Sequence, residues 1–381
     1  MEQKVLNFDI AIEESEEGRF VRVLDAPAGP AVIAWADPFT AESRSQLFQQ
    51  LADAPTISAA DQQLLARSVG ERLYRSLLNG NTLQAWQQSQ YLAYQAHSRL
   101  RLRLHPPARP ALIHLPWELL FDPERNEFVA LGNQTQLVRY VELRQQILPW
   151  PTQPPLRALV ILSNPSSYPT FDAERTWLAQ LDALDYLALE GKLILERLTK
   201  PTIYDLQKRL RQNDYHLLHF IGHSLLDGYT QDGQLVFGDE TGRGRLVSGQ
   251  HLGALVREHH TLRLVLLNAA ESTHISGPSP YTNIAYSLVN RGTPAVITAQ
   301  LPLTNAGLLT YVSHLYPALA DLQPVDVALI AARRALRTEM GDMQWAAPLL
   351  ITRTPDGRLF EQYQAKTPTI GILRQRVLAN R

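Results

Sequence analysis

The 381-residue sequence contains no cysteine. That excludes a disulfide scaffold, a thiolate metal site and, as the chain stands, a thiol nucleophile. Neither sign of charge prevails: 36 Lys and Arg face 37 Asp and Glu, for a net charge of −1. No overall basic excess therefore drives phosphate binding through counterion release, and nucleic acid is not an expected partner. No apolar run reaches the length of about 20 residues that spans a bilayer. The N-terminal stretch passes through Glu13, Glu14, Glu16 and Glu17 without the basic start and apolar core of a secretory signal. A cytoplasmic protein with no membrane partner is expected. Gly-x-Ser-x-Gly, His-Glu-x-x-His and a phosphate loop ending in Gly-Lys-Ser/Thr are all missing, which argues against serine-hydrolase, zinc-peptidase and nucleotide-binding chemistry. No cofactor is expected.

What is present is a globular composition, 45% apolar and 19% charged, long enough for two domains. The clearest boundary is Leu148-Pro-Trp-Pro-Thr-Gln-Pro-Pro155, whose prolines supply neither donors nor helical geometry. It divides the chain into residues 1–148, a linker at 149–156, and residues 157–381. Before the boundary, Phe20–Leu24 and Ala31–Trp35 flank a turn and read as a hairpin. Helices are expected at 41–51 and at 59–78, the second stopping at Gly80. Arg99-Leu-Arg-Leu-Arg-Leu104 alternates strictly, as a half-buried strand with its arginines on a wet face would.

After the boundary, continuous apolar strands at 157–162, 192–198, 215–221, 262–267, 295–298 and 347–351 alternate with amphipathic helices at 172–189, 202–211, 249–256, 282–290, 306–319 and 325–338. The pattern predicts an α/β fold with a mainly parallel sheet covered on both faces, and such sheets bind ligands at the carboxyl ends of their strands. The glycines between Gly238 and Gly244 read as the turn of a hairpin between 234–237 and 245–247. Trp117 and Trp345 read as packing anchors. The basic tail at 367–381 reads as a solvated end.

Two strand ends carry candidate chemistry. Asp214-Tyr-His-Leu-Leu-His-Phe-Ile-Gly-His-Ser224 breaks at Gly222 and delivers His223 to the strand's carboxyl end. Leu262-Arg-Leu-Val-Leu-Leu-Asn-Ala-Ala-Glu-Ser272 runs into a small-residue turn. His216, His219 and His223 would share one face of a helix and suggest a metal site. Gly222 and the apolar filling favour a strand instead, which turns His216 away from His219, so no metal is expected and His219 reads as a core residue or one that backs the site.

Together these segments resemble the CHAT family of caspase-like (clan CD) cysteine peptidases, relatives of caspases and separases. In that family, a strand ending His-Phe-x-Gly-His precedes a core strand ending Asn-Ala-Cys-Glu-Ser or a close variant. Leu115-Pro-Trp-Glu-Leu-Leu120 resembles the family's Pro-Trp-Glu segment. Arg291-Gly-Thr-Pro-Ala-Val-Ile297 resembles the strand after the cysteine, and Ala328–Leu336 its Ala-Arg-rich helix. His223 and Ala270 stand 47 residues apart, near the separation of about 50 found for the caspase pair.

The resemblance implies a caspase-like fold with a pseudo-caspase-like N-terminal half supporting the half that holds the site. It implies endopeptidase activity, with His223 as general base and acid, Ala270 in the place of the nucleophilic cysteine, and backbone N–H groups of Ser224 and Ala270 as the oxyanion hole. Ser224 departs from the glycine that caspases commonly place after their histidine, yet keeps the backbone donor. Alanine at 270 can neither ionise nor form an acyl-enzyme, so the chain as written should not cut. Deliberate replacement of a cysteine, or a natural pseudoprotease acting as a protein-binding adaptor, would each give this residue. The otherwise intact pattern around it favours the replacement.

The expected partner is a protein or peptide substrate laid beside the strand after the nucleophile, at 298–301, with Gln300 as its contact. Glu271 either selects a basic residue or plays a structural part. By the same resemblance the protein is a bacterial defence or signalling effector, for example one that cleaves a gasdermin-like pore former, and a regulatory protein partner fits that role.

Overall fold

The computed structural model describes residues 4–143, 147–228, 232–270 and 277–363. The tail read as a solvated end lies outside them. The expected hairpin is present as the antiparallel strands β2 (Gly18–Asp25) and β3 (Ala31–Ala34), preceded by the long β1 (Val5–Ser15). Helices α1 (Ala41–Asp53), α2 (Ala59–Leu77) and α3 (Gly80–Gln95) lead to β4 (Arg99–Leu104). A two-residue pair, β5 (Phe121–Asp122) and β6 (Glu127–Phe128), precedes β7 (Thr135–Tyr140).

Beyond β8 (Trp150–Thr152), strands and helices alternate: β9 (Leu156–Leu162), α4 (Ala173–Leu189), β10 (Leu193–Arg197), α5 (Ile203–Gln212) and β11 (Leu217–Gly222). The small sheet β12 (Ser224–Leu226), β13 (Gly233–Gly238) and β14 (Gly244–Ser248) includes the expected hairpin across Gly238 to Gly244. Then follow α6 (Gly249–Arg257), β15 (Leu264–Ala269), α7 (Pro280–Arg291), β16 (Ala295–Ala299), α8 (Asn305–Ala320), α9 (Val325–Glu339), β17 (Pro348–Thr352) and β18 (Phe360–Gln362).

Eleven strands form one sheet in the order β10-β9-β11-β15-β16-β17-β7-β4-β1-β2-β3. From β10 to β16 all neighbours are parallel; β17 runs antiparallel to β16, and β7, β4 and β1 follow the direction of β17. The architecture is α/β, as expected. One apolar core gathers side chains from α2, α3, α4, α8 and α9, and a second lies under α5, α6 and α7. Strands buried on both faces account for the unbroken apolar runs in the sequence.

The sheet runs without interruption from one side of the proline-rich segment to the other. That segment itself contains β8, paired with β18. Arginines tie the two sides together. Arg139 is fully buried, forked on Glu118 of its own side, and donates across the segment from Nη2 to Gln300 Oε1 at 3.0 Å. Arg334 donates to the carbonyls of Leu131 and Gly132.

The alternating arginines of β4 overturn the expectation of a wet face. Arg101 is buried and pairs with Asp326 at the start of α9, while Arg103 pairs with the buried Asp9 of β1 and lies over the Tyr140 ring. β4 is an interior strand, and these charges persist there because each has a carboxylate partner. Trp117 and Trp345 are buried anchors, the first donating from Nε1 to the Leu112 carbonyl.

Candidate active site

β11 and β15 are parallel neighbours in a register that pairs Gly222 with Ala269. His223 and Ala270 are the next residue of each, so the fold brings them to adjacent positions on the same edge of the sheet. Both are buried, at 4% and 3% exposure. Gly222 is required for local packing. A Cβ there would meet Phe220 Cζ and the Ser163 carbonyl oxygen at 2.9 Å.

One turn of strand earlier, His219 and Asn268 fasten the two strands. His219 donates from Nε2 to Asn268 Oδ1 at 3.0 Å and accepts at Nδ1 from the Tyr316 hydroxyl of α8 at 2.9 Å. Complete burial pushes the His219 pKa down to about 4, against a smaller opposing effect of the Asn268 bond, so it is neutral at pH 7. His216 accepts at Nδ1 from the Arg157 N–H and donates from Nε2 to Thr152 Oγ1. It therefore braces the opposite end of β11. Among the described residues, no cluster of three His, Cys, Asp or Glu side chains could hold a metal.

The His223 ring is oriented by residues that the sequence reading passed over. Its Nε2 donates to the Pro169 carbonyl at 2.7 Å, and its ring stacks on Tyr168 at 5.6 Å between centroids. The donation makes Nε2 a protonated nitrogen. The loop that carries Pro169 is itself held. Ser163 donates to the Val236 carbonyl, and Asn164 grips the Phe171 backbone through both its amide atoms. Only residue types common in any turn mark this loop, and nothing in the sequence ties it to a histidine 54 residues away.

Two expected site features fall out differently. The Ala270 N–H donates to the Gly222 carbonyl at 2.8 Å, which also accepts from the Tyr281 hydroxyl at 2.6 Å. In this arrangement it continues the strand ladder instead of pointing at an oxyanion. Ser224 opens β12 opposite Leu235, with its hydroxyl buried close to Tyr281.

Gln300 is not an open peptide contact. Its backbone N–H donates to Ala347, its Oε1 accepts from Arg139 at 3.0 Å, and its amide nitrogen donates to Glu118. β16 is an interior strand whose residues 298 and 299 already pair with β17, so a peptide has no free backbone to join there. Glu271 lies outside the described residues.

The arrangement sets an imidazole anchored through Nε2 at the strand end next to the one that carries Ala270. The methyl group of Ala270 itself offers nothing for covalent attack.

No helix among the described residues is long and apolar enough to cross a membrane. The sequence profile of the CHAT domain family matches residues 67–353. No curated protein sequence matches the chain. Among solved structures, a chain of the Saccharomyces cerevisiae separase–securin complex aligns at 11% identity and TM-score 0.48 over 92% of this chain. This chain spans only 30% of that one's length. The Arg-specific cysteine proteinase gingipain R of Porphyromonas gingivalis aligns at 12% identity and TM-score 0.43, over 79% of this chain and 76% of its own. The Drosophila initiator caspase Dronc aligns at 11% identity and TM-score 0.31, over 61% of this chain and 96% of its own.

Proposed function

Because this chain belongs to the CHAT domain family, with its caspase-like peptidase fold, we propose that it receives an extended segment of a protein substrate at the edge formed by β11 and β15. The observation that carries this reading is the register of Gly222 on Ala269, which sets His223 beside residue 270. With cysteine at 270, the thiolate would attack the scissile carbonyl while His223 takes up the thiol proton and returns it to the leaving amine. With alanine the same cleft holds a segment without cutting it. The finer reading, from the family resemblance, is a bacterial defence or signalling effector whose substrate is a dedicated protein, such as a gasdermin-like pore former, and whose activity answers to a regulatory protein partner.

A second reading has its own observation. The Ala270 N–H is engaged by Gly222, and that bond must break before residue 270 can serve an oxyanion. A natural adaptor, binding its partner without catalysis, has no need to break it.

The test is proteolysis by the Ala270→Cys protein against the source cell's proteome, with new N-termini read by mass spectrometry and the Ala270→Cys, His223→Ala double variant as control. Cuts that depend on His223 are the expected result. No cuts, even with the products of neighbouring genes supplied, would leave the adaptor reading in possession.

A further inference from the structure

The segment that orients His223 is clasped by the turn that joins β13 to β14. Asp239 builds that turn. Its Oδ1 accepts from the Thr241 N–H at 2.8 Å and the Arg243 N–H at 2.9 Å, and its own N–H donates to the Arg243 carbonyl. Gly242 closes the turn at a φ of +80°, a conformation that glycine adopts without strain. The turn then grips the residues before Pro169. The Ser166 N–H donates to the Gly242 carbonyl at 2.9 Å, and the Gly244 N–H donates to Ser167 Oγ at 2.9 Å. Residues 240–243 are exposed, so the clasp lies at the molecular surface.

Gly244 also decides where the Tyr168 ring can lie. A Cβ at 244 would come within 2.4 Å of Tyr168 Cε2 and 3.0 Å of Val236 Cγ1, so the ring fills the space that any larger residue would take. That ring stacks on His223 with 5.6 Å between centroids and 26° between planes, as in an offset aromatic pair. The hydrogen bond from Nε2 to the Pro169 carbonyl fixes one point of the imidazole. Such a bond tolerates tilt, and the neighbouring ring sets the plane.

We propose that Tyr168 is a positioning residue for His223 and that the turn at 239–244 holds it to that task. The inference rests on the peptidase reading above. His223 can serve a thiol at 270 only with its ring within about 2.6–3.2 Å of the proton it exchanges, and a tilted imidazole misses that distance. Tyr168 acts through the face of its ring, so phenylalanine should serve as well as tyrosine. A residue that only covered the buried Val236 would behave otherwise: its loss would weaken the fold and leave the imidazole where it is.

Two measurements test it. In the first, the Ala270 protein is labelled with 13C-histidine, and the ring signals of His223 are picked out among those of the 11 histidines by their loss in His223→Gln. The face of a neighbouring aromatic ring displaces such signals upfield. Tyr168→Leu should abolish the displacement, Tyr168→Phe should keep it, and Gly244→Ala, which leaves both rings intact, should reduce it. In the second, the same three changes are made in Ala270→Cys and assayed on a peptide spanning a cut site found by the proteolysis above. Tyr168→Leu and Gly244→Ala should lower kcat by about tenfold to a hundredfold at unchanged KM, as a reacting group misplaced by about 1 Å does, while Tyr168→Phe stays within about twofold.

Gly244→Ala sets its methyl group against side chains and not against backbone, so the variant should fold, and a thermal melt verifies this. His223 signals that hold their place in Tyr168→Leu overturn the proposal, and signals that move there but not in Gly244→Ala overturn the part given to the turn. An unchanged kcat in Tyr168→Leu, or an equal loss in Tyr168→Phe, overturns the positioning role and leaves the peptidase reading standing. Displaced signals with no cutting by Ala270→Cys support Tyr168 as what sets the imidazole and remove the peptidase reading.

Discussion

His219 and His223 show how two identical side chains four residues apart acquire different work. His219 has both nitrogens engaged inside the sheet, whereas His223 has Nε2 on a loop carbonyl at its edge. The paired motifs in the sequence located both residues. What they concealed was the division of labour: His219 and Asn268 set the alignment of two strands, and that alignment puts His223 beside position 270. His219 also makes a pH signature. Its folded pKa of about 4 lies below the ordinary value of 6.5, so the unfolded chain binds the additional proton between those limits. Stability should therefore fall as pH is lowered from about 6.5 to about 4 and gain nothing further from this residue below that. Urea unfolding at a series of pH values should show His219→Gln losing part of this slope, up to about 1.4 kcal/mol per pH unit. His114, also buried to a pKa of about 4, retains its own share. A slope unchanged in the variant would mean that His219 is not neutral in the folded protein.

At the scale of elements, most of the alternating strands and helices after the proline-rich segment were legible because apolar periodicity is strongest where both faces are covered. Several elements were not, and three of them are long. α3 escaped because Gly80 looks like the end of α2. In fact Asn79 and Thr82 build a capping box that starts a new helix there, with Gly80 at a φ of +47°. β1 was hidden by the acidic residues at its end. β7 was hidden by Gln136 and Arg139, polar residues buried in an interior strand. The arginine strand was read correctly as a strand and wrongly as half-wet, since pairing with Asp326 and Asp9 is set by distant parts of the chain. α2 carries a further constraint that periodicity does not express. At Gly70 a Cβ would lie 2.0 Å from the Leu119 carbonyl oxygen and 2.9 Å from Phe121 Cβ. Alanine is the better helix former by about 1 kcal/mol, yet Gly70→Ala should destabilise the protein by about 1–3 kcal/mol because rigid backbone stands in the way. A lowered urea midpoint at unchanged slope is the expected result; an unchanged or raised midpoint would mean that α2 can withdraw from this segment.

For the whole molecule, the division proposed at residues 149–156 meets a sheet that does not stop there. β7 sits between β17 and β4, and Arg101, Gln300 and the partly buried Arg334 reach across with hydrogen bonds. Removing either side would leave charged groups such as Arg101 buried without their partners. The two sides should therefore unfold together. Tryptophan fluorescence, reporting from Trp86 and Trp117 on one side and Trp345 on the other, should trace the same urea transition as far-ultraviolet circular dichroism. Two separated transitions would mean that the proline-rich segment divides independently folding units.

The reversal at β17 also gives the molecule two rims of opposite character. Strands β9, β11, β15 and β16 deliver their carboxyl ends to the rim where His223 lies, and β1, β4 and β7 deliver theirs to the other. Loops leaving the far rim can lengthen, shorten or take on a new binding partner without disturbing the rim where His223 lies. Inheritance can thus rewrite one rim of the molecule and leave the other alone.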